Sequence, residues 1–253
     1  MQGRILSQLE MLETRESIRI LYAVESGSRA WGFASADSDY DVRFLYVRSA
    51  HDYLSIRPPR DVVELPLEDD LDINGWDLFK ALTLFRSSNP PLIEWLFSPI
   101  VYLEHGELAA NLRRLAQEHF SPRRMAYHYL SMAKRNYKEY IEGKSEVRLK
   151  KYLYVMRPLI CVAWLEQNAS PPPTRMEDAL AGIALANDVR ANLSEIVQRK
   201  QQSDELGVNP PFEALNRYIA ETIERVTEAI PALPDPTIES LTLDALAWKE
   251  LGL

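Results

Sequence analysis

The amino-acid sequence predicts an α+β fold, with mixed strands and helices over residues 1–105 and an all-helical region over residues 106–253. Three observations carry this. Apolar, β-favouring runs at residues 18–24, 39–47 and 62–65 all fall in the first part. From Ser121 onward the period changes, and Tyr129, Met132, Ala133, Asn136, Tyr137 and Tyr140 follow i, i+3, i+4 spacing. No internal repeat marks a solenoid.

The elements follow in order. Residues 2–15 read as an amphipathic helix and residues 18–24 as a strand. Glu25-Ser26-Gly27-Ser28 is a small-residue loop, after which Arg29-Ala30-Trp31 could start a helix. Asp37-Ser38 marks a turn into the strand at 39–47. Pro58-Pro59 turns the chain into the strand at 62–65. An acidic stretch, Glu68-Asp69-Asp70-Leu71-Asp72, leads to a short strand and then a helix over 76–86. Residues 92–97 and 100–103 continue the mixed region. Beyond 121, helices are expected at 176–185, 188–202 and 212–229. They are separated by Pro171-Pro172-Pro173, Ala186-Asn187 and the break at 207–211. Residues 231–236 form a stiff loop, and 238–251 a short helix or strand.

Composition narrows the function classes. At 253 residues the chain can bury a good core. Its net charge of −8 argues against broad non-specific nucleic-acid binding. Basic residues nonetheless dominate from Arg123 to Arg157, with tyrosines interleaved, and such a mixture can contact phosphates and stack bases. The same tyrosines also fit a helix core face. The single cysteine, Cys161, excludes intrachain disulfides and fits a reducing cytoplasm. No secretory segment or membrane span is expected, because Arg157 and Pro158 interrupt the apolar run at 152–165. The four histidines have no zinc-ligand spacing.

The chemistry lies in the loop and the acids. Gly27 allows close backbone approach to a ligand, and Ser28 offers a hydroxyl. Backbone N–H groups at a helix start suit phosphate, although Ser-Gly-Ser is also an ordinary turn. Asp39 and Asp41, at i and i+2 of a strand, project to one face. Two such carboxylates repel unless a cation intervenes, and hard oxygen donors suit Mg2+ or Mn2+. A turn Asp followed by a solvated strand-start Asp is the bland alternative. A third carboxylate from a neighbouring strand would complete the set. Asp72 is the choice, with Asp70 two residues away as the alternative. An acidic loop ahead of a helix would account for both without metal.

These segments coincide, in order, with a known pattern. Gly-Ser, then Asp-x-Asp, then a later strand Asp resembles the DNA polymerase β nucleotidyltransferase superfamily. Residues 25–33, 38–44 and 72–78 look like its branch of predicted nucleotidyltransferases associated with RNA repair. Ser88-Asn89-Pro90, Glu94-Trp95-Leu96, residues 98–102, Lys150-Lys151-Tyr152-Leu153-Tyr154 and Arg157-Pro158 do so too. One departure is Phe79, where a basic residue is expected, so any phosphate role there rests on Lys80.

The resemblance implies a nucleotidyltransferase head followed by a helical domain, with the active site between them. It implies transfer of a nucleoside monophosphate from an NTP to an acceptor hydroxyl, with an RNA 3′ end as the leading acceptor. Asp39, Asp41 and Asp72 would be catalytic and hold two Mg2+ or Mn2+ ions. Gly27 and Ser28 would hold the β and γ phosphates. Lys150, Tyr154 and Arg157, which share a helix face, are expected to contact the nucleotide. Rival readings are a protein or small-molecule acceptor, a non-catalytic nucleotide-binding module, and a helical ribonuclease using Arg123 and His128.

Overall fold

The computed structural model describes residues 1–66, 69–202 and 207–253, so Glu68 of the acidic stretch lies outside the described residues. Two compact units emerge. The first comprises residues 1–30, 39–120 and 236–253, and the second residues 31–38 and 121–235.

The first unit contains α1 (Gln2–Glu16), β1 (Arg19–Glu25), α2 (Gly27–Trp31, whose last residue belongs to the second unit), β2 (Tyr40–Val47) and α3 (Ala50–Tyr53). Then come β3 (Val62–Glu64), β4 (Leu71–Asp77), α4 (Leu78–Arg86), α5 (Pro90–Leu96), β5 (Val101–Glu104) and α6 (Leu108–His119). Among the described residues these strands form one sheet in the order β3-β4-β2-β1-β5. Only the β2–β4 pair is parallel, in register from Tyr40 opposite Leu71 to Tyr46 opposite Asp77. The sheet is therefore mixed, and with the surrounding helices it gives an α+β fold.

Strand alternation sorts the side chains. Val42, Phe44, Tyr46 and Ile73 join one apolar layer with Ile5, Leu9 and Leu12, the buried stripe of α1. Leu45 and Val47 join the other layer with α4, α5 and α6. Asp41 and Arg43 share this second face but lie beyond its apolar part.

The helix expected over 76–86 begins later. Trp76 and Asp77 complete β4, and Asp77 caps α4 by accepting the Phe79 N–H at 2.9 Å. An N-cap carboxylate satisfies a donor that the helix leaves unpaired, which fixes the strand-to-helix junction at this residue.

The units also divide the chain differently from a single boundary at 105. Helix α6 stays with the sheet because Leu108, Ala109, Leu112, Leu115 and Ala116 are buried in its core. Full burial of a leucine contributes roughly 1.5–3 kcal/mol. Ile238, Leu243 and Ala247 bring the C-terminal helix (Ser240–Leu251) into the same core.

The second unit contains α7 (Pro122–Tyr140), β6 (Val147–Arg148), α8 (Leu149–Gln167), α9 (Met176–Ala181), α10 (Asn187–Gln202), β7 (Val208–Asn209) and α11 (Glu213–Ala229). Its core gathers around α8, and Phe33 from the 31–38 excursion is buried within it. Tyr129 and Ala133 are fully buried, so the helical stripe on α7 is partly a core face. Cys161 is buried as well. No described helix is long and apolar enough to cross a membrane.

Gly75 sits opposite Phe44 in the parallel pair, and a Cβ there would stand 2.2 Å from the Phe44 ring. Gly75→Ala is expected to destabilise the protein by about 1–3 kcal/mol through overpacking. Urea unfolding measures this, and Phe44→Leu in the same chain should recover part of the loss.

Candidate active site

Strand β1 ends in Glu25, whose side chain is fully buried. Its carboxylate accepts the Asp41 backbone N–H at 2.7 Å and the Tyr102 hydroxyl. Ser98 Oγ donates to the Glu25 carbonyl at 2.6 Å, and the Ser26 N–H donates to the Asp41 carbonyl at 2.8 Å. The small-residue loop is thus tied to β2 at a fixed height. Burial pushes the Glu25 carboxyl above the usual carboxylate range, opposed by the Tyr102 and Asp41 hydrogen bonds.

Gly27 follows with φ +56°, a left-handed conformation that favours glycine. A Cβ at this position would lie 1.9 Å from Asp41 Oδ2. Glycine is therefore the residue that lets the loop backbone meet the carboxylate. Ser28 is the second residue of α2. Arg29 braces the other side. Its Nε donates to the Asp39 carbonyl at 3.2 Å, and its guanidinium lies 3.7 Å above the Tyr40 ring.

Asp41 and Asp72 stand opposite one another on the parallel strands. Paired strands are ~4.8 Å apart, so two unscreened carboxylates there repel by about 3 kcal/mol at an effective dielectric of 20. The repulsion demands a cation, and Arg43 provides one. Its Nη2 donates to Asp41 Oδ1 at 3.0 Å and to Asp72 Oδ2 at 2.7 Å. Its Nη1 donates to the carbonyls of Val42 at 3.0 Å and Asp72 at 3.1 Å. Burial holds the Asp41 carboxyl above its ordinary range; Arg43 opposes this, while Asp72 and Asp39 add to it.

Asp39 is exposed just before β2. Asp70 lies ahead of β4 and pairs with Arg4 at 3.5 Å, and its carbonyl accepts the Tyr40 N–H at 2.7 Å. On geometry, Asp72 rather than Asp70 adjoins Asp41. Among the described residues, no group of three or more His, Cys, Asp or Glu side chains is gathered to hold a metal ion. The donor chemistry nonetheless fits a hard divalent cation, since the oxygens of Asp41 and Asp72 already share a positive group. Lys80 is engaged elsewhere, paired with Asp61 at 3.0 Å and lining a cavity of about 820 Å³ with Tyr53, Arg60 and Phe79.

The remaining sequence-predicted residues belong to the second unit. Lys150 and Tyr154 are exposed on α8. The adjacent Lys151 places its ammonium 3.5 Å over the Tyr140 ring and 5.4 Å over that of Tyr154. Arg157 differs from the expected ligand contact: it is 6 % exposed, stacked 4.3 Å over Trp31 and bonded to the Thr174 carbonyl at 3.5 Å. Its guanidinium is committed to the interior of the unit. Arg123 donates to the Leu233 carbonyl at 2.8 Å, a bond that spends its Nε on the fold.

Glu25 and Arg43 are the site residues that reading the sequence for chemistry passed over. Arg43 had a signal, because it shares strand parity with Asp41. Glu25 had its place at the end of an apolar strand and at the start of the 25–33 segment that carries the resemblance.

The family model described as "RNA repair pathway DNA polymerase beta family" matches residues 1–249. The chain is 44% identical over 260 residues to the "Uncharacterized protein YcgL" of Bacillus subtilis (strain 168), covering 100% of both chains. Among solved structures it is similar to a nucleotidyltransferase-like protein from Exiguobacterium sibiricum 255-15, at 12% identity and a TM-score of 0.30. That match covers 88% of this chain and 73% of the other.

The raised Glu25 carboxyl fixes a sign. A folded-state value above the unfolded one means the folded chain binds the extra proton, so this group's contribution falls as pH rises through the carboxylate range. Relative to Glu25→Gln, the wild type should lose stability as pH rises from the ordinary glutamate value of about 4 upward. Urea midpoints across that range measure the difference. Gly27→Ala should displace Asp41 and destabilise the protein by about 1–3 kcal/mol, through overpacking and the left-handed backbone; urea unfolding tests it.

Proposed function

The chain belongs to the RNA repair pathway DNA polymerase beta family, and from that premise we propose that this nucleotidyltransferase transfers a nucleoside monophosphate from a nucleoside triphosphate to an RNA 3′ hydroxyl. The observation that carries the reading is the Asp41–Asp72 pair, held in register across parallel strands beside the close-approach glycine, Gly27.

In this reading, backbone N–H groups at Gly27 and Ser28, with the Ser28 hydroxyl, hold the β and γ phosphates. The positive φ of Gly27 lets that backbone approach them without a side chain in the way. Asp39, Asp41 and Asp72 would hold two divalent ions, Mg2+ or Mn2+. When bound, these ions neutralise charge on the entering and leaving oxygens of an in-line displacement. The acceptor hydroxyl gives its proton to solvent and its oxygen forms a bond to the α-phosphorus as the bond to pyrophosphate breaks, with pyrophosphate leaving. Glu25 and Ser98 fix the height of the loop, and Arg29 steadies the backbone at Asp39. Lys150 and Tyr154 are proposed as nucleotide contacts from the helical unit. The single cysteine is consistent with the reducing cytoplasm we assign to it.

The test supplies each α-labelled ribonucleoside triphosphate, with Mg2+ or Mn2+, to RNA 3′ ends and separately to protein. Label should enter RNA, and Asp41→Asn and Asp72→Asn should each reduce the rate about 1,000-fold or more, as loss of charge stabilisation does. Label in protein would move the acceptor. Binding of triphosphate without any transfer would favour a regulatory module.

A further inference from the structure

We infer that Arg43 is an internal competitor for the divalent-metal site, occupying the carboxylates of Asp41 and Asp72 and yielding them when a metal ion binds. The inference rests on the reading of these carboxylates as metal ligands.

The geometry of the side chain carries it. Arg43 lies two residues beyond Asp41 on β2, so strand parity aims both at the same face. Its Nη2 alone touches both carboxylates, at 3.0 Å and 2.7 Å. These are charge-assisted bonds in a half-buried setting, with Arg43 18 % and Asp41 28 % exposed. The oxygens concerned, Asp41 Oδ1 and Asp72 Oδ2, belong to the carboxylates a metal would use. A guanidinium and a divalent ion cannot both sit between them without strong like-charge repulsion.

The second nitrogen makes the exchange feasible without expelling the side chain. Nη1 is tied to two backbone carbonyls, Val42 at 3.0 Å and Asp72 at 3.1 Å. Releasing Nη2 leaves this anchor in place, so the guanidinium turns aside and stays at the rim. Arginine suits the task because its planar fork spans carboxylate and carbonyl partners at once, which a lysine ammonium cannot do in the same geometry. The arrangement has two consequences. Arg43 cancels one of the pair's two negative charges before metal arrives, and apparent metal affinity is reduced by the free energy of the Arg43 bridge.

The test is Mn2+ binding without nucleotide, followed by the free-ion electron paramagnetic resonance signal, on the full chain. Arg43→Gln should bind Mn2+ about tenfold tighter than wild type, Arg43→Lys should fall between, and Asp41→Asn should lose the binding. Circular dichroism melts establish that each variant is folded. In the wild type, the Arg43 Nε–H resonance, assigned by its absence in Arg43→Lys, should shift as Mg2+ is added and stay still in Asp41→Asn. Asp41-dependent binding that is equal or weaker in Arg43→Gln, or an Nε–H signal indifferent to Mg2+, would overturn the inference alone. Absence of Asp41-dependent Mn2+ binding in every variant would overturn it together with the metal reading beneath it.

Discussion

The parallel pairing of β2 with β4 is the constraint on which the rest of the site depends. An antiparallel neighbour in the same register would still juxtapose side chains, but it would reverse the strand's polarity. Here both strands start at the same end, so Asp41 and Asp72 lie where each strand leaves its preceding loop. The small-residue loop, tied to Asp41 through Ser26 and Glu25, arrives at the same end. Three chain segments far apart in sequence thus deliver their polar groups to one corner of the sheet. The apolar continuation of the same strands, Leu45 and Val47, anchors that corner in the core.

Holding carboxylates this close is unfavourable, and the fold offsets it locally. Arg43 bridges the pair and cancels one of its two charges, and Arg29 fixes the backbone just upstream. Glu25 is a different case. It is buried without a cationic hydrogen-bond partner among the contacts described, its oxygens used by the Asp41 N–H and the Tyr102 hydroxyl. It serves as a spacer that sets loop height, and burial raises its carboxyl. A rigid support of this kind is what charge stabilisation in a reaction requires, because donors and acceptors must be placed before the substrate arrives.

Much of this was legible in the sequence, for physical reasons that differ by residue. Strands β1 and β2 announce themselves by apolar, β-branched and aromatic runs, and the i, i+2 rule places Asp41 on a definite face. Gly27 could be singled out as a point of close approach, although which atom approaches it could not. The start of α4 was misplaced because Trp76 suits strand or helix equally, and the capping choice of Asp77 is decided by what packs around it. Arg157 shares a helix face with Lys150 and Tyr154, but periodicity says nothing about the third dimension; a tryptophan from residues 31–38 covers it. Similarly, the boundary at 105 follows a change of period, whereas the units are drawn by which apolar faces complete which core.

The discontinuity of the first unit has a consequence for how the molecule comes into being. Residues 236–253 supply Ile238, Leu243 and Ala247 to the core that already contains Leu21, Leu82 and Leu112. During synthesis from the N-terminus, the sheet and its acidic corner emerge well over a hundred residues before the helix that covers that layer. The second unit, by contrast, needs only residues 31–38 from upstream to be complete. Order of emergence and order of completion are therefore inverted: the helical unit can close first, while the sheet-bearing one waits on the helix at Ser240–Leu251, its apolar surface open to misassociation in the interval. A nascent chain halted before residue 236 would leave the core around Leu21, Leu82 and Leu112 partly uncovered, so the topology ties completion of the sheet-bearing unit to the emergence of residues 236–253.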